Sequence, residues 1–215
     1  MRLAPEGRPF VVVALIVVTV CIGAGLILGR WWWGLATVAA PIGAWVPWFF
    51  RDPDREGPRG DRLALAPADG KVVSVGPIAE PTYHGGEVTR ISIFMNVFDV
   101  HVNRYPTDGA VTHRSYEPGA FLNATLDKAS ERNERSSVGV ESPHGRVLVR
   151  QIAGLVARRI VTDANVGDAA RQGERLGIIR FGSRVDTFLP ASARVCVKVG
   201  DRTRAGVTII AEWMP

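Results

Sequence analysis

Only two cysteines, Cys21 and Cys196, occur in the 215 residues, one in an apolar run and one in a strand-like run. They form no framework spacing, which excludes a disulfide scaffold and a cysteine zinc site. Lysine is nearly absent: Lys71, Lys128 and Lys198 are the only three, so the net charge of +5 is carried by arginine. After Trp48 no tryptophan appears until Trp213, and the basic-aromatic interleaving of a nucleic-acid surface is missing. No glycine-rich phosphate loop, strand-helix alternation or internal repeat is present, which argues against a nucleotide enzyme. No group of His, Cys and carboxylate has ligand spacing, so no metal is expected.

What the sequence has in abundance is apolar length near the N-terminus. Phe10 to Gly29 and, after Arg30, Trp31 to Phe50 are two twenty-residue runs without charge. At 1.5 Å per residue each is long enough for a hydrocarbon core of about 30 Å. A secretory signal would be shorter and followed by polar sequence, not by a second apolar run. Arg2 and Arg8 precede the runs and Arg51, Arg55, Arg59 and Arg62 follow, so both flanks favour the cytoplasmic side. The expectation is a helical hairpin anchor, residues 1–51, with Arg30 at its turn and a cluster of tryptophans suited to the headgroup boundary. Pro41 and Pro47 weaken the second run as a straight span, leaving open whether the anchor crosses the bilayer or lies in its interface.

Residues 51–60, Arg-Asp-Pro-Asp-Arg-Glu-Gly-Pro-Arg-Gly, read as a linker. Residues 52–215 are one β-rich domain. Strand-like runs recur at 62–66, 71–75, 88–95, 100–105, 146–152, 156–161, 176–181, 185–189, 194–199 and 206–211, separated by turn pairs such as Asp69-Gly70, Asp108-Gly109 and Gly200-Asp201. That pattern predicts a mainly β, antiparallel sandwich or barrel-type domain. Only 121–135 reads as helical or irregular.

Several segments stand in a distinctive order: Phe49-Phe50-Arg51-Asp52-Pro53, Pro67-Ala68-Asp69-Gly70, Phe98-Asp99-Val100-His101-Val102-Asn103-Arg104, Tyr116-Glu117-Pro118-Gly119, Asn133-Glu134-Arg135, Gln151-Ile152-Ala153-Gly154 and Phe181-Gly182-Ser183, the last holding the only Gly-Ser of the chain. In this the chain resembles the short, membrane-associated phosphatidylserine decarboxylases. The resemblance implies a zymogen that cuts itself between Gly182 and Ser183, giving chains 1–182 and 183–215 that remain together, with higher assembly left open. Ser183 acts as nucleophile and becomes a covalent pyruvoyl cofactor. That group forms a Schiff base with phosphatidylserine and acts as electron sink for its decarboxylation to phosphatidylethanolamine. Phospholipid and membrane are the partners implied, with the catalytic domain on the cytoplasmic side.

The helper residues depart from the longer members, whose Asp-His-Ser set uses the second histidine of a His-x-x-His pair. Here His101 matches the first histidine, associated with decarboxylation, and Arg104 stands in the place of the base, which a permanently charged guanidinium fills poorly. His144 is the candidate substitute base, a strand-capping role being the alternative. Asp69 matches the relay aspartate, although Asp-Gly is also an ordinary turn. His84 and His113 read as solvated or structural. Among Arg51, Arg55, Arg104, Arg135, Arg158 and Arg159, Arg104 and Arg135 are the candidates for lipid phosphate or carboxylate. Two other classes are compatible with parts of the sequence: a lipoyl-like carrier modified at Lys128, and a serine hydrolase using intact Ser183 with His144 and Asp69.

Overall fold

A computed structural model describes residues 2–119, 133–154, 159–180 and 182–214. The chain forms two compact units, Met1–Asp54 and Arg55–Pro215.

In the first unit, β1 (Arg2–Leu3) pairs antiparallel with β2 (Arg51–Asp52), and two helices lie between them, α1 (Arg8–Leu28) and α2 (Arg30–Phe49). They are joined by Gly29, whose φ of 102° lies in the region that favours glycine. Small residues let the helices approach: a Cβ on Gly43 would sit 2.9 Å from a Val18 methyl, and one on Gly25 would touch the Trp33 ring. The expected hairpin is therefore present. Pro41 and Pro47 stand inside α2 without ending it. Among the described residues one helical stretch, Pro5–Leu28, is long and apolar enough to cross a membrane.

The second unit is mainly strand. Its elements are β3 (Leu63–Leu65), β4 (Gly70–Glu80), β5 (Gly86–Met95), β6 (Val102–Arg104), β7 (Gly109–Glu117), β8 (Arg135–Ser142), β9 (Gly145–Ala153), β10 (Ile160–Thr162), β11 (Ala169–Ala170), β12 (Arg175–Ile179), β13 (Ser183–Pro190), β14 (Ala193–Val195), β15 (Arg202–Thr203) and β16 (Ile209–Trp213). An eight-stranded antiparallel sheet runs β11-β7-β8-β9-β13-β5-β4-β15, accompanied by the three-stranded sheets β10-β12-β6 and β14-β16-β3. The predicted strands are all represented, apart from residues 156–158 and 181, which lie outside the described residues, as does 121–132 of the stretch expected to be irregular. β7, β8 and the two-residue β11 and β15 are added to the strands read from the sequence.

Alternation explains how one core serves three sheets. Val185 and Leu189 of β13, Ile91, Ile93 and Met95 of β5, and Val147, Val149 and Ala153 of β9 face inward, as a period of two requires. Leu176 and Ile179 of β12 and Ile210, Ala211 and Trp213 from β16 complete the same cluster. β13 is the centre of the large sheet: its residues Ser183–Pro190 pair with β5 and Ser183–Phe188 pair with β9.

Candidate active site

Ser183 is the first residue of β13 and is fully buried. It lies between Met95 at the end of β5 and Ala153 at the end of β9. Its inward side chain donates from Oγ to the Met95 sulfur at 3.5 Å, a weak acceptor. Gly182, just before it, has φ 58°, and a Cβ built there would meet nothing within 4 Å. Glycine is therefore required by backbone conformation, not by crowding. The bond between a left-handed glycine and a buried serine hydroxyl stands where the central strand begins.

Segments of the second unit that hold His101, Asn133 and Gln151 meet at this end of the sheet. His101 accepts from Ile179 N through its main-chain oxygen at 3.3 Å, which places it beside the strand that leads into Gly182. Its Nδ1 is 3.0 Å from Asp99 O. A carbonyl has no proton to give, so Nδ1 carries a hydrogen, an inference from the acceptor. Two residues on, the Asn103 amide nitrogen donates to the same Met95 sulfur at 3.6 Å. Gln151 Nε2 donates to Asn103 Oδ1 at 2.8 Å, Thr162 Oγ1 donates to Gln151 Oε1 at 2.9 Å, and Ser136 Oγ lies 2.7 Å from Thr162 Oγ1. Asn133 and Glu134 clamp the neighbouring strand end: Asn133 Nδ2 donates to Ala153 O at 2.7 Å and Ala153 N to Glu134 O at 2.9 Å.

The other expected site residues are distributed differently. His144 lies in the turn between β8 and β9, next to Gly145, whereas Ser183 pairs with Ala153 at the opposite end of β9. Eight strand steps at about 3.3 Å separate those ends by roughly 26 Å. The ring stacks on Trp213 at 5.6 Å and its Nε2 is 3.7 Å from Asp61. This register sets the His144 turn and Ser183 at opposite ends of β9 and does not bring Ser183, His144 and Asp69 together. Asp69 does stand at the Ser183 end, because Gly70 packs against Phe94 O. Its carboxylate accepts from Arg55 Nη2 and Ala205 N, each at 2.7 Å, and no Asp69–histidine hydrogen bond is formed among the described residues.

Arg104 donates to Gly173 O at 3.0 Å. Arg135 forms an ion pair with Glu117 on the face of the sheet opposite Ser183. His84 follows β4 at the far end, hydrogen-bonded through its N–H to Glu80, and His113 is in β7 against Tyr83. Arg158 and Lys128 lie outside the described residues. Sequence reasoning missed Met95, Gln151 and the Arg184–Asp186 pair. Gln151 carried a signal: in Val147-x-Val149-x-Gln151-x-Ala153 it is a polar residue on the apolar side of the alternation. Arg184 and Asp186, on the opposite face of β13, form a fully buried pair at 2.7 Å (Nε–Oδ1) and 2.8 Å (Nη2–Oδ2).

Fold and site thus define an antiparallel β-sheet protein, preceded by an apolar hairpin, whose reactive candidate is an internal serine held at the head of the central strand. The family model for phosphatidylserine decarboxylase matches residues 42–211. The chain is 49% identical over 212 residues to a phosphatidylserine decarboxylase proenzyme of Saccharopolyspora erythraea, covering 97% of this chain and 87% of that protein. It is 48% identical over 211 residues to one of Symbiobacterium thermophilum, covering 97% and 94%. The chain belongs to the phosphatidylserine decarboxylase family and is an enzyme of the carboxy-lyase class.

Proposed function

We propose that this chain cuts itself between Gly182 and Ser183 and, with a pyruvoyl group in place of Ser183, decarboxylates phosphatidylserine to phosphatidylethanolamine and carbon dioxide. The observation that carries the reading is the geometry of the bond itself: a glycine at φ 58° followed by a fully buried serine at the head of a strand, in a chain related to two proteins named proenzymes. The Ser183 hydroxyl adds to the Gly182 carbonyl carbon, the C–N bond breaks, and the nitrogen takes the hydroxyl proton, leaving an ester. Removal of the Ser183 α-proton and rupture of its Cβ–O bond release Gly182 as a carboxylate. The 2-aminoacryl residue then takes up one water and releases ammonia, which leaves the pyruvoyl group.

The residues present fit such a group. Position 183 is enclosed by the flanking strand ends at Met95 and Ala153, and the only histidine of the four at this end, His101, holds its proton at Nδ1. Once formed, the group supplies an electrophilic ketone for the substrate amine and draws off the electrons left as carbon dioxide departs. His101 is assigned the proton transfers at both stages, self-cleavage included, because His144 is remote. The two products stay together: β13, β15 and β16 belong to residues 183–215, and each pairs with a strand of residues 1–182, namely β5 and β9, β4, and β3.

The N-terminal unit is proposed as the membrane anchor that brings the domain to its lipid. Leu26, Ile27 and Trp31 are 74%, 83% and 80% exposed, which suits hydrocarbon and not water. The arginines on both flanks favour the cytoplasmic side for the domain. Denaturing mass spectrometry of the purified protein tests the reading. Chains of 1–182 and 183–215 are expected, the smaller blocked at its N-terminus and reactive to a carbonyl reagent, with carbon dioxide released from phosphatidylserine vesicles. One uncut chain that still decarboxylates the lipid overturns it.

A further inference from the structure

We propose that Asn103 and Gln151 are positioning residues for Ser183, acting through the sulfur of Met95; this inference rests on the self-cleavage reading above. Two donors converge on that one thioether: Ser183 Oγ at 3.5 Å and Asn103 Nδ2 at 3.6 Å. Ser183, Met95, Asn103 and Gln151 are all fully buried. Nothing about core packing calls for this arrangement. A polar side chain in a fully apolar surrounding is costly unless each of its groups is paired, and leucine would fill the Met95 position equally well.

The chain of hydrogen bonds has a direction. Gln151 uses its amide nitrogen on Asn103 Oδ1 and its carbonyl on the Thr162 hydroxyl, which meets Ser136 Oγ. With its oxygen occupied by Gln151, the Asn103 amide is fixed against flipping, and its N–H is turned to the sulfur. The sulfur is thereby held on the Ser183 side. A thioether is a poor acceptor, so it orients the hydroxyl while withdrawing little from its nucleophilicity. The hydroxyl can leave it for the Gly182 carbonyl with small loss, whereas a carboxylate or amide in that place would hold it back.

The test uses the full-length proenzyme made by cell-free translation in the presence of phospholipid vesicles, with cleavage followed by denaturing mass spectrometry and folding by thermal melt. Met95→Leu conserves volume and removes the acceptor; Asn103→Asp conserves shape and the Gln151 contact but removes the N–H. Both are expected to slow cleavage by about threefold to tenfold, the scale of one lost hydrogen bond. The Asn103→Asp deficit is expected to shrink as pH falls and the carboxyl regains a proton to donate. Val147→Ala, a core truncation at the far end of β9, serves as the control: it lowers the melting temperature and leaves the cleavage rate unchanged. Folded Met95→Leu protein that cleaves at the wild-type rate overturns the inference, as does Val147→Ala protein slowed as much as Met95→Leu. If Asn103→Asp fails to fold, Met95→Leu decides alone. A wild-type chain that stays whole overturns the self-cleavage reading itself, a result distinct from cleavage that is indifferent to Met95.

Discussion

Replacing His144 by alanine is predicted to leave self-cleavage intact. The register of β9 and β13 puts its turn roughly 26 Å from Ser183 along the strand. Across that distance a full charge in water acts with about 0.2 kcal/mol, and even at an effective dielectric of 20 with about 0.6 kcal/mol. The corresponding rate changes are about 1.3-fold and threefold. What the imidazole does locally is stack on Trp213, so the substitution costs about 1 kcal/mol of stability, and its contact with the exposed Asp61 carboxylate adds little. His101→Ala is the opposing case: a general base removed from the reacting bond costs on the order of 10²- to 10⁴-fold. Both variants are followed by cell-free synthesis and a mass-spectrometric time course of chains 1–182 and 183–215. A folded His144→Ala protein that remains whole refutes the placement argument, and a His101→Ala protein that cuts at the normal rate refutes the assignment of the base.

Four further outcomes are expected. Ser183→Ala gives a single uncut chain without decarboxylase activity, read on a denaturing gel and by carbon dioxide release; a processed Ser183→Ala protein would exclude the nucleophile. Gly182→Ala remains folded and loses about 1–2 kcal/mol for the left-handed backbone alone, since the space for a methyl is open; a denaturation loss well above that points to crowding. Asp186→Asn takes the negative charge away from the buried Arg184 guanidinium and costs about 3–5 kcal/mol, whereas Arg184→Met with Asp186→Leu restores most of it; equal losses in the single and double variants would dismiss the pair as an energetic unit. Acidification destabilises the β domain through His84 and Glu80. Burial holds His84 below its ordinary 6.5. Burial pushes the Glu80 carboxyl upward, but the N–H groups of His84 and Tyr83 and the Arg150 guanidinium outweigh it, so Glu80 lies below its ordinary 4.5. Both groups bind fewer protons folded than unfolded, so stability rises with pH: the His84 contribution is complete above 6.5 and the Glu80 contribution above 4.5, each fading as pH falls through the folded value. Melting temperatures that stay flat from pH 7 to pH 4 contradict this, and Glu80→Gln is expected to flatten the lower part of the curve.

The strands were legible where alternation was clean. Val88 to Met95 and Val185 to Leu189 read correctly because apolar residues recur at a spacing of two, at Ile91, Ile93 and Met95, or of four, at Val185 and Leu189, in β-branched runs. β7 and β8 were harder, since β7 faces outward over much of its length with Thr112, Arg114 and Tyr116, and β8 is broken in pattern by Ser136, Ser137 and Gly139. Of the candidate site, the Gly182-Ser183 bond could be named from the sequence, and the surroundings that the fold gives it could not. Gly182 and Ser183 are neighbours in the chain, so their relation needs no fold. His144 was attractive because it is a histidine in a loop beside a strand; which end of that strand it occupies is a property of register, and register is fixed by pairing that no single segment displays. The Arg184–Asp186 pair was hidden for a related reason. An Arg-x-Asp on one face of a strand looks solvated until both neighbouring strands are known to cover it.

The position of the bond also explains how a protein can be cut next to the middle of its largest sheet without falling apart. Ladder pairing of β13 begins at Ser183 and runs to Pro190 on β5 and to Phe188 on β9, so the residues from 184 onward keep their partners whatever happens before them. Gly182 precedes the ladder, and a Cβ there would meet nothing within 4 Å, so the carboxylate it would become is not locked into neighbouring packing. A bond one or two residues further along would lie inside the ladder, where the acyl shift would have to break strand pairing on both sides. One or two residues earlier the serine would lose its seat between the ends of β5 and β9. Arg184 and Asp186, immediately after the proposed cut and fully buried together, would then hold the new chain start in register by a contact that lies wholly within the smaller product. Strand geometry thus restricts where a self-cleaving serine can stand in this sheet, and the head of β13 satisfies the restriction.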